Sequence, residues 1–227
     1  MPTPRPSKIV CVGRNYTAHA REMGNRIPDE PLLFFKPPSA LLPSGGEIAL
    51  PPGVGQVDFE GEMAFVVGRR TGRWKGASRA EDPAEPRDER WDAGWRERSQ
   101  EGWAVLSHVL PANDVTARAL QRSDAQWTRA KGFDTFCPLG DPVPLDGLDR
   151  DALALETRVN GELRQEGRIG EMAFSPGALV AFIAGVMTLE PGDLILTGTP
   201  AGVGPLTPGD DVEVSIPGVG AVRNRVR

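Results

Sequence analysis

The 227 residues predict a fold dominated by short β-strands and many turns. Glycine and proline, 27 and 22 of them, punctuate the chain at the places where strands end and turns form. The composition, 39% hydrophobic and 25% charged, is that of a globular protein. The apolar runs are short and bounded, which favours strands over long helices. A chain of this length buries roughly 70% of the surface its unfolded form exposes, enough for a true core. One domain over residues 1–227 is expected, without linker or internal repeat.

In chain order, Lys8–Val12 reads as an apolar strand that Gly13 breaks, followed by a short polar helix over Tyr16–Met23. Leu32–Phe35 and Glu47–Leu50 are further strands, set apart by Pro-Pro and Gly-Gly pairs, and Phe59–Val67 is a longer one closed by Gly68. Residues 69–103 differ in character: charges of both signs alternate with Trp74, Trp91, Trp95 and Trp103. Trp91 and Trp95, four apart, would share one helix face, while the stretch through residue 88 reads as exposed loop. Ser175 before Pro176 marks a helix start, a hydroxyl cap followed by a residue whose missing N–H costs nothing there. Leu179, Val180, Ile183, Val186 and Met187 then trace one apolar face. Leu194–Thr197, Val212–Ile216 and Ala221–Val226 read as strands joined by Pro-Gly turns.

Several functional classes are set aside on composition. The net charge is −5 and no run of Lys or Arg stands apart from neighbouring acids, so neither nucleic acid nor an anionic membrane is an expected partner. Met1–Lys8 is polar and Pro-rich, and no stretch approaches the roughly 20 apolar residues of a membrane span, so a cytoplasmic location is expected. Cys11 and Cys137 are too few for a disulfide scaffold and read as reduced, buried thiols. With His19 and His108 as its only histidines, the chain has no multi-histidine site, and any metal must rest mainly on carboxylates.

Glu60 and Glu62 are two apart, so on a strand they share a face. A bare Glu-x-Glu also fits the solvent side of a half-buried strand. Ala64 and Val66, however, continue the same face, which puts the acids at the mouth of a buried strand. Unpaired carboxylates are expensive there. With few basic residues nearby in sequence, a hard cation such as Mg²⁺ or Mn²⁺ is the expected compensation, in preference to zinc. Asp114 precedes a segment with helical spacing and, on local pattern, is a helix N-cap.

Larger pieces then fall into place. Val12-Gly13-Arg14-Asn15-Tyr16 is followed at three-residue steps by His19 and Glu22; Phe35-Lys36-Pro37 and Asp58-Phe59-Glu60-Gly61-Glu62 come next. Asn113-Asp114-Val115-Thr116-Ala117-Arg118, the run from Ala130-Lys131-Gly132-Phe133 to Cys137-Pro138, Val159-Asn160-Gly161 and Leu196-Thr197-Gly198-Thr199-Pro200-x-Gly202-Val203-Gly204 complete the series. The last lacks the Gly-Lys-Ser/Thr of a P-loop. In this order, over nearly the whole chain, the pieces resemble the fumarylacetoacetate hydrolase family. The short members are nearest: acylpyruvate hydrolases, oxaloacetate decarboxylases, and isomerases and decarboxylases of homoprotocatechuate breakdown.

The resemblance implies an α+β, β-dominated fold, a mixed β-sandwich roll around the site with a few peripheral helices, and a homodimer. It implies that Glu60, Glu62 and Asp114 hold one Mg²⁺ or Mn²⁺, which overturns the N-cap reading of Asp114. The carboxylate and 2-oxo oxygens of a small 2-oxo acid substrate would chelate that ion, which would stabilise an enolate. Lys131 matches the family's active-site lysine. Thr199 matches the residue that hydrogen-bonds the substrate carboxylate, with Gly198 allowing close backbone approach. His19 and Glu22 match a dyad that deprotonates a water, on a segment, residues 12–25, expected to act as a mobile lid. Arg14 or Arg118 would supply a cation for a second substrate carboxylate.

The leading reading is therefore hydrolytic C–C cleavage of an acylpyruvate-type substrate. The closest rival is a 2-hydroxyhepta-2,4-diene-1,7-dioate isomerase, or a 5-carboxymethyl-2-oxo-hex-3-ene-1,6-dioate or oxaloacetate decarboxylase; an inactive binding module comes last, because the full residue set is present. Two departures stand out. The stretch 69–103 is longer than in short members, and Ala119 and Gly132 occupy places where an acidic and a small polar residue are expected. His108 is read as structural.

Overall fold

The computed structural model describes residues 6–22, 24, 26–72 and 98–227, with the side chains of residues 19–21 outside that description. Its first strands are β1 (Ile9–Gly13), β2 (Leu32–Lys36), β3 (Leu41–Pro43) and β4 (Glu47–Ile48). β5 (Val57–Phe59), β6 (Gly61–Val67), β7 (Leu106–Asn113) and β8 (Thr116–Ala117) follow, and then β9 (Cys137–Leu139), β10 (Val143–Pro144), β11 (Ala154–Val159) and β12 (Glu162–Arg168). β13 (Leu194–Leu196), β14 (Gly204–Pro205), β15 (Asp211–Ile216) and β16 (Gly220–Val226) close the chain. The helices are short: α1 (Thr17–Glu22), α2 (Arg118–Ser123), α3 (Thr128–Lys131) and α4 (Pro176–Val186).

The alternation of apolar side chains explains how these strands stack. An 8-stranded sheet runs β2-β1-β13-β6-β7-β9-β3, with β10 beside β7. It is mixed, since β1 pairs β13 in parallel and β2 antiparallel. One side presents Val10, Val12, Met63, Phe65, Val109 and Ile195 to Leu155, Val214 and Val222 of a 5-stranded sheet ordered β12-β11-β15-β16-β4. The other side gathers Ile9, Cys11, Ala64, Val66, Leu110, Cys137 and Leu196 into a second buried cluster. A 3-stranded sheet is ordered β14-β5-β8, and its Val57, Phe59 and Ala117 share a third buried cluster with Val159 and Val212 of the 5-stranded sheet. The β-dominated α+β architecture is as expected.

Several local expectations are corrected. Phe59–Val67 is not one strand: β5 belongs to the 3-stranded sheet and β6 to the 8-stranded one, and the chain changes sheets at Glu60. There the Glu60 N–H bonds the Asn113 side chain (3.0 Å) while its carbonyl accepts from Asp114 N–H (2.8 Å). α4 starts as predicted, with Ser175 Oγ accepting from Ala178 N–H, but burial extends to Ala181 and Ala184, and Val186 is 62% exposed. Trp74, Trp91 and Trp95 lie outside the described residues. Residues 98–103 are helical and lie backbone to backbone against α4: a Cβ on Gly102 would meet Gly177 O at 2.0 Å. Trp103 then sits edge-on to Phe65, ring centroids 5.6 Å apart, which makes it a core contact. Among the described residues no helix is long and apolar enough to cross a membrane.

Candidate active site

The acidic side of the site grows out of the β5–β6 junction. Glu62 shares a face of β6 with Ala64 and Val66, so its side chain enters the second buried cluster from the strand end, as the period of two requires. Glu60, one residue before β6, turns to the same point. Asp114 joins them from the link between β7 and β8, and the three carboxylates lie within 4.8 Å of one another, all buried. The N-cap reading of Asp114 fails on geometry: α2 begins at Arg118 with Ala117 as its cap. Burial first, then the neighbouring Asp114 and Glu60, holds the Glu62 carboxyl well above its usual range, against the opposing pull of Lys131 and of the Gly198 N–H.

Three cations reach these acids from distant parts of the chain. Lys131, at the end of α3, bonds Glu60 Oε2 (2.8 Å) and Asp114 Oδ2 (2.5 Å), with its Nζ 5.0 Å from the Phe34 ring centroid. Burial alone would depress its pKa, but Asp114 and Glu60 outweigh that and leave a firmly charged ammonium. Lys36 bonds Asp114 Oδ1 (2.5 Å) and the Val115 carbonyl (3.2 Å). Arg118 bonds Asp58 Oδ2 (2.6 Å), Glu60 Oε1 (2.5 Å) and Gln121. The expectation that the acids lack basic partners thus holds along the sequence and fails in space. Arg118, expected at a substrate carboxylate, is committed to two acids, and its Nη2 is buried without a partner.

Lys36 was not singled out as a site residue. Its signal was a lysine in phase with Phe34 on an apolar strand, which points it inward. Gly132, where a small polar residue is expected, has no room for one: a Cβ would lie 2.5 Å from Thr128 O and 3.1 Å from Pro37 Cδ. That close packing of α3 on Pro37 places Lys131 beside Lys36, and both reach Asp114.

The opposite wall is the turn after β13. Gly198 has φ 92° and its N–H bonds Glu62 Oε2 at 2.7 Å. The Thr199 hydroxyl donates to Gly61 O (2.8 Å) and accepts from Gln165 Nε2 (2.7 Å), so both of the partners found for it are internal to the chain. Gln165, between the polar residues Arg164 and Glu166, carried no sequence signal. Gly61 has a role of its own: a Cβ there would lie 1.9 Å from Thr157 Oγ1.

α1 flanks this turn. Glu22 carboxylate oxygens accept from Gly202 N–H at 3.2 and 3.3 Å. The His19 side chain lies outside the described residues, so its meeting with Glu22 belongs to the proposal below. The start of α1 is anchored by Asn15, whose side chain donates to Phe174 O and Thr197 O and accepts from Phe174 N–H. Arg14 takes a left-handed backbone, φ 59°, and is partly buried. His108 has a structural partner, its Nδ1 lying 2.9 Å from Ser107 Oγ.

Comparison with known proteins adds to this geometry. Over 222 residues the chain is 40% identical to a mitochondrial oxaloacetate tautomerase of Arabidopsis thaliana, covering 96% of this chain and 90% of that one. A 5-carboxymethyl-2-hydroxymuconate delta-isomerase of Mycobacterium smegmatis superposes with a TM-score of 0.81 at 39% identity, over 98% of this chain and 79% of the other. A fumarylpyruvate hydrolase of Pseudomonas aeruginosa, solved with Mn²⁺ and pyruvate, gives 0.80 at 28% identity, over 97% and 89%. Residues 8–83 and 93–227 match the family described as Fumarylacetoacetate (FAA) hydrolase C-terminal, and with the carboxylates, lysines and turn assembled as above, the chain belongs to the fumarylacetoacetate hydrolase family.

Proposed function

We propose that this chain is a divalent-cation-dependent enzyme that generates and directs the enol or enolate of a small 2-oxo acid. One observation carries the reading: Asp58, Glu60, Glu62 and Asp114 are buried with Lys36, Arg118 and Lys131, four acids against three cations, and among the described residues no Lys or Arg pairs with Glu62. The donor set fits Mg²⁺ or Mn²⁺, because each carboxylate has more acceptor sites than the lysines use and hard cations prefer oxygen. Glu60, Glu62 and Asp114 would hold the ion. Bound there, it supplies Lewis-acid chemistry to the carboxylate and 2-oxo oxygens of a substrate.

The chain's own groups do the rest. Lys131 holds a fixed positive charge beside the oxygens on which negative charge develops. Gly198 and Thr199 line the opposite wall, and Arg14 is the cation left to meet a second substrate carboxylate. For the outcome of the reaction, the relatives favour proton transfer, since the tautomerase and the isomerase are 40% and 39% identical and the hydrolase 28%. In that case His19, oriented by Glu22, moves a proton at the substrate carbon. The second reading is C–C hydrolysis of an acylpyruvate, with the same dyad taking a proton from water. It is favoured by the likeness to the fumarylpyruvate hydrolase, which superposes over 97% of this chain. A homodimer belongs to this reading and is checked by light scattering.

The test is an assay of EDTA-treated protein, with and without Mn²⁺, on enol oxaloacetate, 5-carboxymethyl-2-hydroxymuconate and acetylpyruvate, with His19→Ala and Glu60→Ala alongside. Mn²⁺-dependent ketonisation or isomerisation, lost in Glu60→Ala, supports the first reading. Acetylpyruvate cleavage lost in both variants replaces it with the second. Turnover of all three substrates that ignores Mn²⁺, or none at all, defeats both.

A further inference from the structure

The Glu60–Gly61 backbone sits between two sheets, where neither ladder is complete. Side chains satisfy most of it: Asn113 Oδ1 accepts from Glu60 N–H at 3.0 Å, Gln165 Oε1 accepts from Gly61 N–H at 2.9 Å, and the Thr199 hydroxyl donates to Gly61 O. Gln165 does more than fill one of these places. Its Nε2 donates to Thr199 Oγ1 at 2.7 Å and to Pro200 O at 2.9 Å. One carboxamide, 1% exposed, therefore joins the segment that carries Glu60 and Glu62 to the turn that carries Gly198 and Thr199.

The orientation of that amide is dictated by its partners, since an N–H faces the oxygen end and a carbonyl faces the nitrogen end. It fixes the Thr199 hydroxyl in turn. With Nε2 donating to it, the hydroxyl must turn its own proton to Gly61 O. Both walls of the site then keep one spacing, and the Glu62–Gly198 bond spans the same gap. The link comes from β12, in a sheet that holds none of the carboxylates.

We infer that Gln165 is a positioning residue that sets the distance between the cation-holding glutamates and the Gly198-Thr199 turn. This rests on the proposed function, because its readouts are cation and 2-oxo acid binding. Groups that orient a ligand from behind change affinity about 10–100-fold when removed. Gln165→Met keeps the length and removes every hydrogen bond. Gln165→Glu keeps an acceptor for Gly61 N–H and, when ionised, loses the donors to Thr199 and Pro200.

The experiment measures Mn²⁺ binding by calorimetry, and pyruvate binding to the Mn²⁺-loaded protein, for wild type, Gln165→Met, Gln165→Glu, Thr199→Val and the Gln165→Met/Thr199→Val double variant. Circular dichroism confirms that each is folded. The expected result is Mn²⁺ affinity about tenfold or more weaker in Gln165→Met. Pyruvate affinity should fall in both Gln165→Glu and Thr199→Val, and the double variant should lose less than the product of the single effects. Wild-type Mn²⁺ affinity in Gln165→Met, or multiplicative pyruvate losses in the double variant, overturns the inference. If Gln165→Met does not fold, Gln165→Glu decides alone: unchanged pyruvate affinity overturns the inference, and a fall matching that of Thr199→Val supports it. Wild-type protein that binds no Mn²⁺ defeats the proposed function instead.

Discussion

The Glu62 carboxylate accepts the Gly198 N–H at 2.7 Å, and this bond ties the strand at the centre of the site to the turn that faces it. It requires Gly198 at φ 92°, a left-handed backbone that side chains resist. A Cβ there would also lie 3.0 Å from both Val12 O and Asn15 Cβ. Gly198→Ala is expected to cost about 1–3 kcal/mol of stability by thermal or denaturant unfolding. Mn²⁺ affinity measured by calorimetry should weaken with it, and an unchanged affinity would show that Glu62 is held by other means.

Gly61 makes a sharper prediction, because a Cβ there falls 1.9 Å from Thr157 Oγ1, a buried hydroxyl without a partner. Gly61→Ala should destabilise by about 1–3 kcal/mol through overpacking. Adding Thr157→Ala removes the obstructing oxygen, so the pair should be more stable than Gly61→Ala alone. Denaturant unfolding of the four proteins measures the coupling, and additive effects would mean that the backbone moves instead.

Lys131 separates charge balance from chemistry. Its ammonium pairs with Glu60 and Asp114 inside the protein, and removing one partner of such a set typically costs about 3–5 kcal/mol. Lys131→Met should therefore melt well below wild type without divalent cation. Saturating Mn²⁺ compensates the acids that have lost the ammonium, so it should raise the variant's Tm by more than it raises that of wild type. Turnover should stay low throughout. Equal Mn²⁺ shifts in the two proteins would count against the acids as cation ligands.

Asp193 supplies a pH prediction away from the site. Burial pushes its pKa up, but hydrogen bonds from the Lys8 ammonium, the Ser7 hydroxyl and the backbone N–H groups of Glu190 and Lys8 outweigh that and hold it below the ordinary carboxylate value. A depressed folded pKa adds stability that is complete above the unfolded value, about 3.9, and disappears as pH falls through the folded one. The stability gap between wild type and Asp193→Asn should hold steady at neutral pH and narrow below about pH 4. Urea titrations across that range check it, and a gap that widens in acid would reverse the sign.

The buried thiols were legible early. Cys11 and Cys137 lie fully inside the second cluster, and burial pushes Cys137 up to about 12 and raises Cys11 well above its usual value. The strand break at Glu60 was not legible, since Val57–Phe59 and Gly61–Val67 are both wholly buried and no turn signal beyond Gly61 separates their sheets. Nor was Gln165, whose neighbours Arg164 and Glu166 are as polar as it is and stay exposed. Its burial is a property of the sheet that covers it.

By itself the sequence determined the β-rich class and the inward face that Glu62 shares with Ala64 and Val66, because both follow from spacing: turn residues end strands, and a period of two directs side chains. Its ordered motifs brought Asp114, Lys131 and the Gly198-Thr199 turn into one expected site. Only the tertiary structure decided which charges face those acids. Lys36 lies 78 positions from Asp114 and Arg118 lies 58 from Glu60, distances over which local pattern carries no pairing information. A buried carboxylate must be compensated, but which cation does so depends on where the folded chain brings each side chain.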